Sequence, residues 1–544
     1  MTEPNLSLIK RRIASLKASK RNPIYNSHMY WSQKSFNITD ALIDGLSKPG
    51  EIVFDPFMGS GVTIIESVVD KYSRNAIGVD INDVPIFIVD TLLSKNIPFA
   101  TFKKKIKSFQ EKAHKLCDAE YITNFDGKEV MVTTTTFDIV NNFKKLTECK
   151  GVTVQGRKKI TFLPRKSELL QLDKERKIKN IPSYIFLEDS KIAAGKEQDI
   201  STIFTPRNFY VLDCLIGLMN KKEFKEIKEA VKYILLSMIH LCKITDTHSN
   251  SQWPIWIPSK NCVEKNVLLI LDRRIELTCE ALRYSNTYFK KTTRIDSFKK
   301  MKGSSNYFLL KKGIQDITKN DIPDESVDLI ITDPPYLGQV EYSEYMQIYE
   351  PFLGTKINFE DEIVVSTSPK REKSLKQYFD LLDKAFEICS AKLKQGKYFC
   401  MYFHDCNLSV WDKLIGSLSR HGLRFLTMTH IDKSTTLKNI ISPKKSLNGD
   451  ALLFFAKESV VDKDNSLESI HDIELNIIKE AKHMLSTADN KMTTPQFYDN
   501  GLMEIIIHNG WLKKISKKYK TLVELFEKHF VWISGGGYWT IPDE

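Results

Sequence analysis

Two apolar runs of strand length, each broken off by a polar turn, constrain this chain more than any other feature. The first is Val53-Phe54-Asp55-Pro56-Phe57-Met58-Gly59-Ser60-Gly61-Val62-Thr63 and the second is Leu329-Ile330-Ile331-Thr332-Asp333-Pro334-Pro335-Tyr336. A short apolar run bounded by glycine or proline reads as a buried strand that delivers a loop at its end. Strands of that kind belong to sheets covered by helices. One turn is rich in glycine, and the other sets a carboxylate, a stiff backbone and an aromatic ring side by side.

The surrounding pattern is that of a doubly wound α/β unit. Glu51 to Asp55 reads as a strand, Gly59 to Asp70 as a glycine turn running into a helix, and Asn75 to Asp80 as a second strand ending in an acid. This is an opening β-α-β. The rhythm stops near Ser94. A lysine-rich stretch follows, with the β-prone run Val130 to Thr136 and the basic strip Arg157-Lys158-Lys159, and then helical periodicity over Glu226 to Leu241 and Val267 to Tyr284. The α/β rhythm resumes with strands at Tyr307 to Leu310, Val327 to Thr332, Lys397 to Phe403, Arg424 to Thr429 and Ala451 to Ala456. The expected organisation is therefore residues 1–94 and 304–458 as two parts of one α/β domain, 95–303 as a large mixed α/β insert, and 459–544 as a helical C-terminal extension.

The first turn suits a nucleoside-containing cofactor. Gly59 and Gly61 let the backbone approach a ligand closely, and the helix that follows directs its N-terminus there. A dinucleotide fingerprint needs a third glycine where this chain has Ile64, which counts against NAD and FAD. Asp80, at the end of the next strand, is placed for two ribose hydroxyls. In the second turn, the chemistry is that of an amine. An exocyclic amine on a base is a poor nucleophile because its lone pair is delocalised into the ring. A carboxylate (Asp333) and a backbone carbonyl fixed by Pro334 and Pro335 accept its two N–H groups and turn the lone pair towards an electrophile. Tyr336 offers a ring for stacking on a base taken out of its helix.

Together these residues resemble the cofactor and catalytic motifs of the amino-methylating DNA methyltransferases, and most nearly bacterial adenine-specific methylases with a long insert between the two motifs. The resemblance implies a Rossmann-like fold with a mostly parallel seven-stranded sheet whose last strand is antiparallel. It implies S-adenosylmethionine as cofactor and N6-methyladenine or N4-methylcytosine as product, the Asp-Pro-Pro-Tyr form being more typical of adenine enzymes. It implies cofactor contacts from Asp55, Pro56, Phe57, Gly59, Ser60, Gly61, Asp80 and Ile81. Tyr30, Trp31 and Lys34 resemble the family's additional N-terminal cofactor motif, and Asp316 matches the acid that meets the cofactor's adenine. Asp333, Pro334, Pro335 and Tyr336 are the implied catalytic residues. The phrases Phe204-Thr205-Pro206-Arg207-Asn208 and Glu264-Lys265-Asn266-Val267 resemble the insert of such methylases, and Val340 to Tyr345 and Asn448-Gly449-Asp450 also match family phrases. The implied partner is double-stranded DNA with base flipping, in the setting of a restriction or defence system.

Composition narrows the alternatives. The net charge of +12 fits a phosphate-rich partner. The nine cysteines include no CxxC pair, so neither a zinc ribbon nor a disulfide framework is expected, and no metal site is expected. No run approaches the length of a membrane span, and the basic start of the chain lacks an apolar signal core, so a cytoplasmic protein is expected. No Pro-Cys pair occurs, which removes the covalent route to C5 of cytosine. The rival readings are an N4-cytosine methyltransferase, an RNA guanine-N2 methyltransferase and a non-catalytic DNA-binding subunit. His404-Asp405 reads as a strand-end turn and Trp253 and Trp256 as packing, while Arg207 reads equally as a brace or a DNA contact.

Overall fold

The computed structural model describes residues 6–542 apart from 20–21, 96, 142, 164–170, 188–197, 247–256, 338–339, 367, 369–370, 432–443, 445–448 and 459–467. Trp253, Trp256 and Asn448 lie outside the described residues.

The apolar runs of the sequence form one open sheet. Its strands are β1 (Ile52–Asp55), β2 (Asn75–Asp80), β3 (Thr293–Ile295), β4 (Asn306–Lys311), β5 (Val327–Thr332), β6 (Leu393–Phe403), β7 (Leu423–Ile431) and β8 (Asp450–Lys457). The spatial order is β7-β8-β6-β5-β1-β2-β4-β3. All neighbouring pairs from β6 to β3 are parallel, and β8 runs antiparallel to both β6 and β7. β5 and β8 are buried along their whole length, as expected of strands covered on both faces. The sheet has eight strands where the resemblance implied seven. The extra strand is β3, three residues at the edge with only Ile295 buried. Its polar Thr293-Arg294 start carries no strand pattern.

Order follows from the register. Val53 pairs with Leu329 and Phe54 with Ile330, so β1 and β5 end level and their turns emerge side by side. The helix after the glycine turn, Val62–Val68, is buried at every residue. Helices Phe36–Leu46 and Asp83–Leu93 pack against it.

Between β2 and β4 the chain builds a second, six-stranded sheet over Ile122–Lys265. Its centre is a long hairpin of Lys128–Val140 and Phe143–Thr153. The helices Phe99–Cys117, Pro206–Met219, Lys228–Cys242 and Val267–Tyr288 accompany it. These helices share one continuous hydrophobic core with the main sheet, whereas among the described residues the second sheet has two small apolar clusters of its own, around Phe137 and Cys149. Arg207 is a brace. It is buried in an ion pair with Glu264 and hydrogen-bonds Thr135 of the hairpin. Beyond the main sheet, Ile470–Thr487 and shorter helices lead to a small hairpin of Val531–Ile533 and Tyr538–Thr540, whose turn holds Gly535, Gly536 and Gly537. The extension expected as helical thus ends in strands. Among the described residues, no helix is long and apolar enough to cross a membrane.

Candidate active site

The two turns open onto one cavity. From the first turn it is lined by Asp55, Pro56, Phe57, Met58, Gly59 and Ser60, from β2 by Asp80 and Ile81, and from the second turn by Asp333 and Pro335. Tyr30, Trp31 and Lys34 close it from the N-terminal side, and Tyr342, Glu362 and Tyr402 complete it. The turns are tied directly. Thr332, the last residue of β5, donates its hydroxyl to Asp55 at 3.0 Å, and the Phe57 amide donates to the same oxygen at 3.1 Å.

The glycine turn owes its shape to two positive φ angles, +47° at Gly59 and +76° at Gly61. The two glycines serve different ends. The Gly59 amide donates to Asp80 at 3.2 Å, and a Cβ at Gly59 would sit 3.0 Å from the Tyr30 ring. Gly61 does not line the cavity. A Cβ there would lie 2.1 Å from a methyl of Val89, so its bareness permits helix packing beneath the turn.

The N-terminal wall is set by buried polar contacts. Tyr25 donates to Glu66 at 2.7 Å, and Ser27 and His28 meet Tyr233 of the helix Lys228–Cys242 at 2.5 and 2.9 Å. These hold the chain so that Tyr30 stacks on Tyr342, with ring centroids 5.8 Å apart, and Trp31 meets Tyr345 edge-on at 5.2 Å. Lys34, expected among the cofactor residues, sits at the Asp333 end. Its Nζ is 2.9 Å from Asp333 Oδ2 and 3.1 Å from Asp450 Oδ2, above the rings of Tyr402 and Tyr336 at 5.0 and 5.3 Å. Tyr336 donates its hydroxyl to Asp333 Oδ1.

Besides Gly61, three implied residues are not on the wall: Asp316, Pro334 and Tyr336. Asp316 is exposed and does not line the cavity, which instead takes Gln315 from the same 3₁₀ turn, Ile314–Asp316. With about three residues per turn, a step of one residue points a side chain roughly a third of the way round, away from the ligand. Pro334 likewise stiffens the turn without lining the cavity, and Tyr336 stands behind Asp333, tied to it through its hydroxyl, rather than on the wall. Residues that the sequence reading missed include Glu362, which lies in a segment without periodicity. Its carboxylate accepts the Ser343 amide at 3.0 Å and pairs with Arg371, which also holds Glu344. Asn82 donates to Ser343 at 3.2 Å, stitching this segment to the end of β2. Tyr342 and Asp450 lie in phrases that resembled family segments, and that was their signal.

The cavity is acidic. Burial pushes the carboxyls of Asp55 and Asp80 up to about 7, against hydrogen bonds from Thr63, Phe57 and Thr332 to Asp55, and from Asn82 and Gly59 to Asp80. Burial also raises Asp333 against the pull of Lys34, and Glu362 against that of Arg371. Burial pulls the Lys34 ammonium down, but Asp333 and Asp450 more than offset it and hold it above its ordinary range. Desolvated carboxylates facing one space favour a cationic ligand, which would recover the charge stabilisation lost to burial.

Residues 11–87 match the N6/N4 methylase family model, described as DNA methylase. The chain resembles an N6/N4 DNA methylase. A relative in sequence is the Type II methyltransferase M.MjaII of Methanocaldococcus jannaschii, 23% identical over 387 residues. The match covers 64% of this methylase-like chain and 64% of that protein, so it spans somewhat under two thirds of the relative's length. Among solved structures, a Thermus thermophilus protein described as a candidate DNA modification methylase is 14% identical, covering 28% of this chain and 56% of that one, with a TM-score of 0.14. The antibiotic-resistance methyltransferase Kmr is 8% identical, covering 33% and 73%, with a TM-score of 0.18. Superpositions that weak carry no argument.

Proposed function

We propose that this chain is a DNA methyltransferase that moves a methyl group from S-adenosylmethionine to the exocyclic amine of a base flipped out of double-stranded DNA, adenine N6 by its Asp-Pro-Pro-Tyr turn. The observation that carries this reading is the opening of both turns, bonded through Thr332 and Asp55, onto one buried acidic cavity. The donor set fits the cofactor. Asp80 and Ile81 suit its ribose and adenine, Gln315 rather than Asp316 its adenine edge, and Asp55, Phe57, Gly59, Ser60, Tyr30 and Trp31 its remaining length. Its two cationic groups suit the raised carboxyls. When bound, it supplies an electrophilic methyl, so no covalent enzyme intermediate is needed.

The chain's own residues then position the amine. Asp333 accepts one N–H. Tyr378 donates to the Pro335 carbonyl at 2.7 Å, so we assign the second acceptor to the Pro334 carbonyl. Two acceptors on one amine favour a pyramidal nitrogen with its lone pair held in line. Tyr336, half-buried and anchored through its hydroxyl on Asp333, offers its ring to the base. The target-recognition role goes to 95–303. In support, the hairpin and its following strand expose Lys128, Lys145, Lys150, Arg157, Lys158 and Lys159, with Phe143 78% exposed at the tip, a combination suited to a phosphate-lined groove. A cytoplasmic setting and a restriction or defence partner belong to the same reading.

The test is transfer of labelled methyl from the cofactor to duplex DNA, followed by digestion to nucleosides. Labelled N6-methyladenine is expected. Label in N4-methylcytosine corrects the base, and label in transfer RNA but not in DNA overturns the reading.

A further inference from the structure

Asp333 and Asp450 both contact the Lys34 ammonium. Asp333 stands at the end of β5 and Asp450 at the start of β8, and Lys34 reaches between them from the N-terminal segment at 2.9 and 3.1 Å. All three side chains are nearly enclosed, with exposures of 16%, 5% and 11% for Asp333, Asp450 and Lys34. With both carboxylates ionised, the cluster carries a charge of −1. A lysine paired with Asp333 alone would cancel it and leave nothing for the amine.

We propose that Lys34 and Asp450 are positioning residues that set the charge of Asp333: Lys34 keeps it ionised in its buried place, and Asp450 takes a share of the lysine so that the cluster keeps one negative charge facing the target amine. This deepens the methyltransferase reading and rests on it. The balance suits the reaction, because methyl transfer to a neutral amine puts a positive charge on nitrogen before a proton leaves. A fixed negative charge in a buried site stabilises that charge without reorganisation. The cage supports a fixed ammonium, since Tyr402 and Tyr336 present ring faces to it.

The groups around Asp333 come from each element packed on it. They are Lys34, Tyr336, Asp450, Tyr402 from β6, Tyr342 from its short helix, and Asp55 from β1. His404 lies beyond, with Nδ1 bonded to the Gly449 carbonyl at 2.5 Å and 3.8 Å from Asp450. Among the described residues, Lys34 is the cation on Asp333 and Asp450 is a carboxylate sharing it.

The two partners act on Asp333 with opposite signs, and that makes the proposal testable. Lys34→Met removes the cation, so Asp333 protonates more readily and the acidic limb of kcat/KM for DNA, read at saturating cofactor where Asp55 and Asp80 have already lost their protons, moves up by about one unit or more. Asp450→Asn removes a like charge, so that limb moves down, while the plateau falls by about tenfold or more because the cluster becomes neutral. Lys34→Arg keeps the limb in place. Cofactor affinity by calorimetry stays within about threefold in Asp450→Asn, since that residue stands at the amine end. Opposite movements of the limb support the proposal. Loss of rate in both variants with no movement, or movement in the same direction, overturns it. Should Lys34→Met not fold, the near-isosteric Asp450→Asn decides alone by the direction of its shift. A wild-type protein that methylates no nucleic acid refutes the function itself, and an active wild type with unshifted variants refutes only this inference.

Discussion

Gly61 separates a packing role from a ligand role within one motif. Gly61→Ala meets two costs. At φ +76° an L-residue is strained by about 1–2 kcal/mol. The new methyl would also lie 2.1 Å from Val89 Cγ2, well inside the roughly 3.5 Å at which carbons rest. Val89 is fully buried on the helix Asp83–Leu93, so the clash adds about 1–3 kcal/mol of overpacking. The expected destabilisation is about 2–5 kcal/mol. Val89→Ala empties that space at a cost of about 1–3 kcal/mol by itself. In the double variant the clash disappears and the strain remains, so the pair costs about 1–3 kcal/mol less than the two changes added. Urea titration of the four proteins, followed by intrinsic fluorescence, measures the coupling. Calorimetry then asks about the ligand. The folded double variant binds S-adenosylmethionine nearly as wild type does, whereas Gly59→Ala, whose methyl enters the lined cavity beside Tyr30, weakens binding by about tenfold or more. Additive costs would refute the clash. A double variant that folds well and loses the cofactor would show that Gly61 belongs to the ligand after all.

Asp333→Asn is expected to lower kcat for methyl transfer by about a thousandfold or more while cofactor affinity by calorimetry changes by less than about tenfold. Full activity would remove Asp333 from the chemistry. Because Asp55 and Asp80 are raised to about 7, a cationic cofactor drives protons off them, so affinity rises between pH 6 and 8, and binding releases protons, as calorimetry in two buffers of different ionisation enthalpy would report. The same raised carboxyls make the free protein less stable as pH climbs from about 4 to about 7, since the folded chain retains protons that the unfolded chain has released; Asp55→Asn flattens part of that slope in melting curves. Arg371→Met leaves Glu344 and Glu362 buried without their shared cation and costs about 3–5 kcal/mol, read as a lower urea midpoint together with weaker cofactor binding.

What was legible in the sequence was whatever the backbone period or a special residue had to announce. β1, β2 and β5 are continuous apolar runs, and a parallel sheet brings their ends together, so Asp55, Asp80 and Asp333 were placed by strand logic alone. What was hidden depended on a single side chain's direction or on a contact between distant segments. Asp316 and Gln315 differ by one step on a 3₁₀ turn, and no pattern says which one faces inward. Lys34 matched a cofactor motif by its neighbours Tyr30 and Trp31, yet its ammonium lies with Asp333 and Asp450 because two buried carboxylates draw it there. Glu362 lies in an aperiodic stretch and reaches the cavity only because Arg371 and Ser343 hold it.

The insert shows the same limit on a larger scale. Composition changes sharply near 95 and 303, which suggests a module spliced into a sheet. The packing divides elsewhere. Tyr233 of the insert fixes Ser27 and His28, three and two residues ahead of the cavity residue Tyr30, and Val267–Tyr288 packs on Pro23–Asn26. The insert's helices are therefore part of the main hydrophobic core, and the sheet around Lys128–Val140 is the more separable piece. Arg207 joins Thr135 of the hairpin to the helix Pro206–Met219, and residues of that helix belong to the same apolar core as Tyr233. The packing that positions Tyr30 and the packing that carries the basic hairpin are thus continuous.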